Sequence, residues 1–94
     1  MTITPHQLKL FVAVAKNLNM TRTSREIHVT ESAISHQLKQ LQREIERTLI
    51  RSNGRGIELT TDGVNFLRKA EVVLGNVDEL YRKNDAKTRY AKKS

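Results

Sequence analysis

The connection between the second and third predicted helices is the feature that most constrains how this chain can fold. Asn19 caps a short helix over residues 20–28, and Thr30 caps the next helix after a connection of two or three residues. Helices joined this tightly do not lie antiparallel, so a sharp crossing is expected. The small side chains of Thr23 and Ser24 permit a close crossing. The residues predicted to face inward from the short helix are Met20, Ser24 and Ile27.

A first helix is predicted to begin at the N-terminal end of the chain. Thr4 can cap it, Pro5 suits the first helical position, and Gln7 completes a capping box. The apolar residues that follow at helical spacing are Leu8, Phe11, Val12, Ala15 and Leu18. Leu10 and Val14 add a second apolar strip, so this helix is predicted to make contacts on two sides.

The third helix is predicted from its apolar spacing, formed by Ala33, Ile34, Leu38, Leu41 and Ile45. Its opposite face carries Glu31, Ser32, Ser35, His36, Lys39, Gln42 and Arg43. The side chains near its N-terminal end are short and polar, so the helix backbone can enter the major groove of DNA. The glutamine, histidine and lysine side chains further along can then reach base edges or phosphates.

A two-stranded hairpin is predicted after the third helix. Residues 49–52 and 57–60 read as the strands, and residues 53–56, with two glycines, form the turn. Arg55 lies between the glycines, where it suits a minor-groove or phosphate contact. An arginine in such a turn is also often only a solvated residue, and that alternative stays open.

A long last helix is predicted to start at Thr60 or Thr61, with Asp62 favourable in its first turn. An apolar stripe recurs along it at spacings of three and four, formed by Leu67, Ala70, Leu74, Val77 and Tyr81. Such a stripe is typical of a coiled coil and predicts a homodimer. Within one chain, Leu10 and Val14 are expected to pack against Phe66 and Val73. That packing would leave Leu74, Val77 and Tyr81 for a second copy.

The net charge of +7 favours a polyanionic partner, but it is unevenly distributed. Residues 1–81 hold eleven Lys and Arg against nine Asp and Glu, a net charge of +2. Residues 82–94 hold six basic residues and one acidic residue, a net charge of +5. The prediction of DNA binding therefore depends on where the basic groups of the body lie.

The composition also argues against several classes of protein. With no cysteine, the chain has no disulfide and no thiolate metal site. His6, His28 and His36 are scattered, and no metalloprotease motif, nucleophile elbow or Walker loop is present. We therefore expect no catalytic residue, no metal and no cofactor. The longest apolar run, residues 11–15, is far below the roughly 20 residues that span a bilayer. No signal peptide is recognised, so a cytoplasmic, nucleoid-associated protein without a membrane partner is expected.

The order helix, short helix, tight turn, helix, hairpin is the layout of a winged helix-turn-helix. The fold class predicted is mainly α, with three helices, a two-stranded β-hairpin wing and a long C-terminal helix. The sequence resembles the N-terminal domain of LysR-type transcriptional regulators. The matching segments are residues 8–15, 20–22, 27–30, 32–35 with Leu38 and Leu41, and 55–60 with Gly63.

The resemblance implies a bacterial, sequence-specific DNA-binding domain that binds a two-fold symmetric site of double-stranded DNA as a homodimer. The expected base-reading residues of the third helix are Ser32, Ala33, Ser35, His36 and Lys39. The expected phosphate or minor-groove contacts are Arg22, Thr30, Lys39 and Arg55. The implied division is a winged domain over 1–61, a linker and dimerisation helix over 62–86, and a basic tail over 87–94. Members of that family carry a much larger effector-binding domain after this helix, and nothing in these 94 residues corresponds to it.

The sequence also departs from the family's pattern. Glu31 occupies a position where the family usually has a base-contacting glutamine, and a carboxylate repels phosphate. Glu31 can accept a hydrogen bond from a cytosine amino group, or it can simply favour the helix N-terminus through the dipole. Other departures are Thr23, Ser24, Glu46, Ile50, Arg51 and Ser52.

Two alternatives remain open at this point. One is another winged-helix family, such as the molybdate-responsive regulators, whose N-terminal domain is similar. The other is an interaction module that pairs with a full-length regulator of the same family through the last helix. The second alternative would show little site preference on DNA alone.

Overall fold

The computed structural model describes the backbone of residues 3–85 and the side chains of residues 3–75. Its elements are helix α1 (Pro5–Asn17), helix α2 (Met20–Ile27), helix α3 (Glu31–Ile45), strand β1 (Ile50–Ser52), strand β2 (Ile57–Leu59) and helix α4 (Thr61–Asp85). The strands are antiparallel and pair Ile50 with Leu59 and Ser52 with Ile57. The predicted fold class, a winged helix-turn-helix followed by a long helix, is confirmed. The predicted basic tail over 87–94 lies outside the described residues.

Local hydrogen bonds fix where α1 begins and ends. The Gln7 amide donates to the Thr4 hydroxyl oxygen at 3.1 Å, and the Thr4 amide donates to Gln7 Oε1 at 3.1 Å, which forms the predicted capping box. The helix ends at Leu18, which is left-handed with φ 49° and whose amide donates back to the Val14 carbonyl. The prediction that Leu18 joins the apolar stripe is wrong. This residue turns the chain out of the helix, and its side chain is 41% exposed.

The core lies between α1, α3 and the start of the wing. Its buried members are Leu10, Phe11, Val14, Ala15, Ile34, Leu38, Leu41 and Leu49. Both Leu10 and Val14 are buried, so the prediction that α1 makes contacts on two sides is confirmed. Half-buried residues of α2, the wing and α4 pack around this core. The burial of its apolar side chains, at about 25 cal/mol per Å², is the main force that holds the helices together.

The buried residue of α2 is Thr23, which is fully enclosed, whereas the predicted inward residues Met20, Ser24 and Ile27 are half-buried. The Thr23 hydroxyl donates to the Asn19 carbonyl at 2.8 Å and accepts from Asn17 Nδ2 at 3.1 Å. Because both hydrogen bonds are made, the hydroxyl is buried without an unsatisfied polar atom. A small polar residue therefore fills the crossing.

Helix α4 packs against α1 through a row of residues spaced by four. The ring of Phe66 meets the ring of Phe11 edge to face at 5.4 Å, Ala70 is 2% exposed, and Leu74 is half-buried. The prediction that Val73 packs beside Phe66 is wrong, because Val73 is 48% exposed. Residues four apart lie in one row along a helix, and Val73 lies outside the row that faces α1. No helix among the described residues is long and apolar enough to cross a membrane.

Candidate nucleic-acid interface

Helices α2 and α3 are set against each other by their caps and by one left-handed residue. Asn19 Oδ1 accepts from the Arg22 amide at 2.8 Å, and the Thr30 hydroxyl accepts from the Ala33 amide at 3.1 Å. Between the helices, His28 is left-handed with φ 57°, and its amide donates to the Ser24 carbonyl. This geometry ends α2, and only residues 28–30 separate it from α3.

The outer face of α3 is exposed over its first two and a half turns. Ser32, Ala33, His36 and Lys39 are exposed and Ser35 is half-buried, as the sequence predicted for a DNA-reading face. The separate prediction that Ala33 belongs to the inward apolar set is wrong. The inner face is centred on Ile34, Leu38 and Leu41, and Ala33 is turned away from it. A small side chain at an exposed position lets another molecule approach the helix backbone closely.

The first residue of α3, Glu31, is tied to α2. Its Oε2 accepts a hydrogen bond from the Thr21 hydroxyl at 2.9 Å, and both side chains are exposed. The negative charge also lies in the first turn of α3, where it interacts favourably with the helix dipole. The contact between Thr21 and Glu31 could not be predicted from the sequence, because a hydrogen bond between residues ten apart depends on the crossing of the two helices.

Two predicted phosphate contacts lie near this face. Arg22 and Thr30 are both exposed. The Thr30 oxygen already accepts from the Ala33 amide, so its own O–H is the group left to donate to a phosphate. Arg22 borders a separate shallow groove with Asn19, Thr21, Arg25 and Glu26, at the exposed side of α2.

The wing is fastened to α3 by Gln42. Its Oε1 accepts from the amides of Leu49 at 2.6 Å and Ile50 at 3.1 Å, where the first strand begins. The sequence placed Gln42 on the outer face, but the structure uses it to hold the hairpin beside α3. A groove between α3 and the hairpin is consequently bordered by Ser35, Lys39, Arg51 and Ser52, among others.

A carboxylate at the base of the wing organises its turn. Arg51 Nε donates to Glu58 Oε2 at 2.7 Å, and Asn53 Nδ2 donates to Glu58 Oε1 at 3.3 Å. Asn53 Oδ1 in turn accepts from the amides of Arg55 at 3.0 Å and Gly56 at 3.1 Å. The hydrogen bond from Arg51, and then that from Asn53, holds the pKa of Glu58 below its ordinary value.

This arrangement gives the two wing arginines different positions. Arg51 is paired with Glu58, so its charge is largely balanced within the hairpin. Arg55 is exposed at the tip, where the Asn53 hydrogen bonds fix its backbone. Among the described residues, no group of three His, Cys, Asp or Glu side chains is placed to hold a metal ion.

The predicted dimerisation stripe is only partly free. Ala70 is buried inside its own chain, and Leu67 packs against the core. Leu74 is half-buried and borders a groove with Val12 and Ala13 of α1. The side chains of Val77 and Tyr81 lie outside the described residues.

A family of known proteins matches most of this structure. The family described as bacterial regulatory helix-turn-helix protein, lysR family, matches residues 5–64, which include α1, α2, α3 and the hairpin. Among curated relatives, a probable cat1 operon transcriptional activator of Acinetobacter lwoffii is 35% identical over 74 residues, covering 79% of this chain and 24% of that protein. The glycine cleavage system transcriptional activator of Escherichia coli (strain K12) is 32% identical over 81 residues, covering 86% of this chain and 27% of that protein. The chain thus spans about a quarter of the length of these relatives.

Solved structures show the same fold. A CbnR DBD–DNA complex is 32% identical with a TM-score of 0.82, covering 93% of this chain and 100% of that one. Full-length CbnR in complex with its target DNA is 34% identical with a TM-score of 0.76, covering 95% of this chain and 30% of that one. A BenM DBD complex with catB site 1 DNA, at 24% identity and a TM-score of 0.83, agrees in fold and covers 88% of this chain and 93% of that one.

Proposed function

The chain belongs to the lysR family of bacterial regulatory helix-turn-helix proteins, and on that premise we propose that it is a sequence-specific DNA-binding unit of a transcriptional regulator. In this proposal α3 enters the major groove of double-stranded DNA, and the wing contacts the adjacent backbone or minor groove. Such a protein acts in the cytoplasm, where it binds chromosomal DNA in the nucleoid. The curated relatives named above are a probable transcriptional activator and a transcriptional activator, which supports a binding role over a catalytic one.

The observation that carries the proposal is the contrast between the two faces of α3. Ile34 and Leu41 are fully buried and Leu38 is 7% exposed, so the inner face of α3 forms part of the hydrophobic core. The outer face holds small or polar side chains, the most N-terminal of which are exposed. A helix that leaves such a face uncovered beside a hairpin with an exposed arginine has the shape and the donors that major-groove recognition needs.

We assign roles to the exposed groups by their reach. Ser32, Ala33, Ser35, His36 and Lys39 are the proposed base readers. The proposed phosphate or minor-groove contacts are Arg22, Thr30, Lys39 and Arg55. The position of Arg55 at the tip of a braced turn supports its role, because an arginine held there needs less reordering on binding.

We also propose that two copies bind together on a two-fold symmetric site. The linker and dimerisation helix is assigned to residues 62–86, after a winged domain over 1–61 and before a basic tail over 87–94. Its length supports this role: the 25 residues of α4 extend about 37 Å, whereas the 13 residues of α1 extend about 20 Å. Helix α1 is therefore long enough to cover about half of α4. The proposed contacts are Leu67, Ala70, Leu74, Val77 and Tyr81. Among the described side chains of this set, Leu67 and Leu74 are half-buried and Ala70 is buried.

Selection of binding sites from a random pool of duplex DNA tests the proposal. We expect enrichment of a two-fold symmetric motif, and affinity that falls steeply with salt, at a log–log slope of about −0.9 for each phosphate contact. Failure to enrich any motif would contradict site-specific binding and favour an interaction module that pairs with a full-length regulator. A nearly flat salt response would remove the phosphate contacts.

Single substitutions separate the two kinds of contact. Ser35→Ala and His36→Ala should change the preferred base at one position, by roughly 1–3 kcal/mol where the contact is direct. Arg55→Ala should instead weaken binding to all sequences to a similar extent and reduce the salt slope by about one. Titrations of labelled duplexes that carry each base at the selected positions measure both effects.

A further inference from the structure

We propose that Glu31 selects cytosine at one position of each half-site, with Thr21 holding its carboxylate in place. This inference rests on the proposed function, because it requires the N-terminal end of α3 to lie in the major groove. Within the protein, Glu31 uses only part of its capacity to accept hydrogen bonds.

The first step is the position of the carboxylate. Glu31 is the first residue of α3 and is exposed, and the N-terminal residues of a recognition helix are those that reach base edges. Within residues 3–75, the hydrogen bond from Thr21 is the one that the Glu31 side chain makes, and it uses Oε2. Oε1 therefore retains its full capacity to accept, while the bond to α2 limits where the group can move.

The second step is the chemistry of the major groove. An ionised carboxylate accepts hydrogen bonds and cannot donate them. Guanine presents N7 and O6 and thymine presents O4, which are all acceptors that repel it. Adenine offers its N6 amino group beside the N7 acceptor, whereas cytosine offers an N4 amino group with no acceptor next to it. Cytosine is therefore the base that suits Glu31.

The third step is why Thr21 matters. A free glutamate side chain has several rotamers, and ordering it on binding costs free energy. The Thr21 hydroxyl, at 2.9 Å from Oε2, already restricts those rotamers in the unbound protein. Thr21 is thus a positioning residue, and its effect should appear as sharper discrimination between bases at the Glu31 position.

The test compares the motif selected from a random duplex pool by the full chain and by Glu31→Gln. The unmodified chain should prefer cytosine at one position of each half-site by at least about fivefold, the equivalent of about 1 kcal/mol. Glu31→Gln keeps the shape of the side chain but adds a donor, and glutamine pairs with N6 and N7 of adenine. The preference at that position should change from cytosine to adenine, and the other positions should stay the same.

Glu71→Gln is the matched control, since it also removes one negative charge from the same protein and lies on α4, outside α3 and the wing. It should leave the cytosine preference unchanged. An adenine shift in both variants would mean that charge alone is responsible and would overturn the proposal. A motif that Glu31→Gln leaves unchanged would also overturn it, whereas a failure of the unmodified chain to select any motif would contradict the proposed function itself.

Thr21→Val tests the positioning role separately. It removes the hydroxyl but keeps the branched shape and the Glu31 charge. We expect the cytosine preference to remain at the same position and to fall severalfold, with circular dichroism showing an unchanged fold. A preference as sharp as that of the unmodified chain would overturn the role of Thr21.

Discussion

Gly63 lies where the fold leaves no room for a side chain. It is buried in the first turn of α4, and a Cβ built there would overlap the backbone carbonyl of Leu49. Its amide donates to the Thr60 hydroxyl oxygen at 2.9 Å, which caps the helix. The close approach places the start of α4 directly on the residue that leads into the wing.

Gly63→Ala should therefore destabilise the protein, because backbone on both sides must move to admit the methyl group. Overpacking of this kind costs typically 1–3 kcal/mol, measured as a lower free energy of unfolding in urea. Gly75→Ala is the matched control on the same helix, since nothing lies within 4 Å of the position of its Cβ. That variant should be neutral or more stable, by up to about 1 kcal/mol of helix propensity. Equal stabilities for the two variants would contradict the close approach at Gly63.

At the scale of elements, the wing is a hairpin whose turn depends on one carboxylate. Glu58 receives hydrogen bonds from Arg51 and Asn53, and these lower its pKa. A lowered pKa means that the brace is fully present above the pKa of the unfolded chain, ordinarily about 4.3, and is lost as the pH falls through the lower folded value. The group is partly exposed, so its effect on global stability is small and its effect on the turn is the one to measure.

An NMR titration of the Glu58 carboxyl carbon measures this effect. We expect its midpoint below the ordinary range for glutamate, and the amides of Arg55 and Gly56 should shift in the same pH interval. In Arg51→Ala the midpoint should return toward the ordinary value, because the main cause of the shift is removed. A Glu58 that titrates at or above the ordinary value in the unmodified chain would contradict the brace.

The elements also show what a sequence of this kind can predict. The capping box of Thr4 and Gln7 and the caps at Asn19 and Thr30 involve residues three apart, so the sequence placed these helix starts correctly. Hydrogen bonds between distant residues were not predicted. The bonds from the strand amides to Gln42 and from Thr21 to Glu31 depend on how whole elements are placed.

Two further results show which contacts can be predicted from the sequence and which cannot. Val73 was assigned to the wrong row of α4 because the row that faces α1 depends on the crossing angle, which the apolar spacing does not specify. The Arg51 and Glu58 pair could have been found, since a turn over residues 53–56 places these two residues opposite each other. The roles of the exposed residues of α3 in DNA binding stay predictions.

At the scale of the whole molecule, α4 has 25 residues and is about twice as long as α1, the helix that it packs against. Along the row of Phe66, Ala70 and Leu74, Phe66 pairs with the ring of Phe11, Ala70 is 2% exposed, and Leu74 is half-buried beside an open groove. Beside this row, Lys16 Nζ lies 3.8 Å from the carboxylate of Glu71. The stripe continues along the sequence to Val77 and Tyr81, as a two-chain contact requires.

Leu74→Asp tests that contact, with Val72→Asp as its matched control. The two positions lie 200° apart around the helix, and Val72 is 63% exposed. A charge at position 74 would be buried without a partner in a two-chain interface, which is strongly unfavourable, whereas a charge at position 72 would stay in water. Sedimentation should show a monomer for Leu74→Asp and a dimer for Val72→Asp. Because Leu74 also borders the groove beside α1, thermal unfolding must show that the first variant is still folded. A folded dimer of Leu74→Asp, or equal dissociation of both variants, would contradict pairing through this stripe.

If the pairing is correct, Leu74→Asp should lose affinity for a two-half-site operator far more than for a single half-site, because only the dimer gains from both half-sites at once.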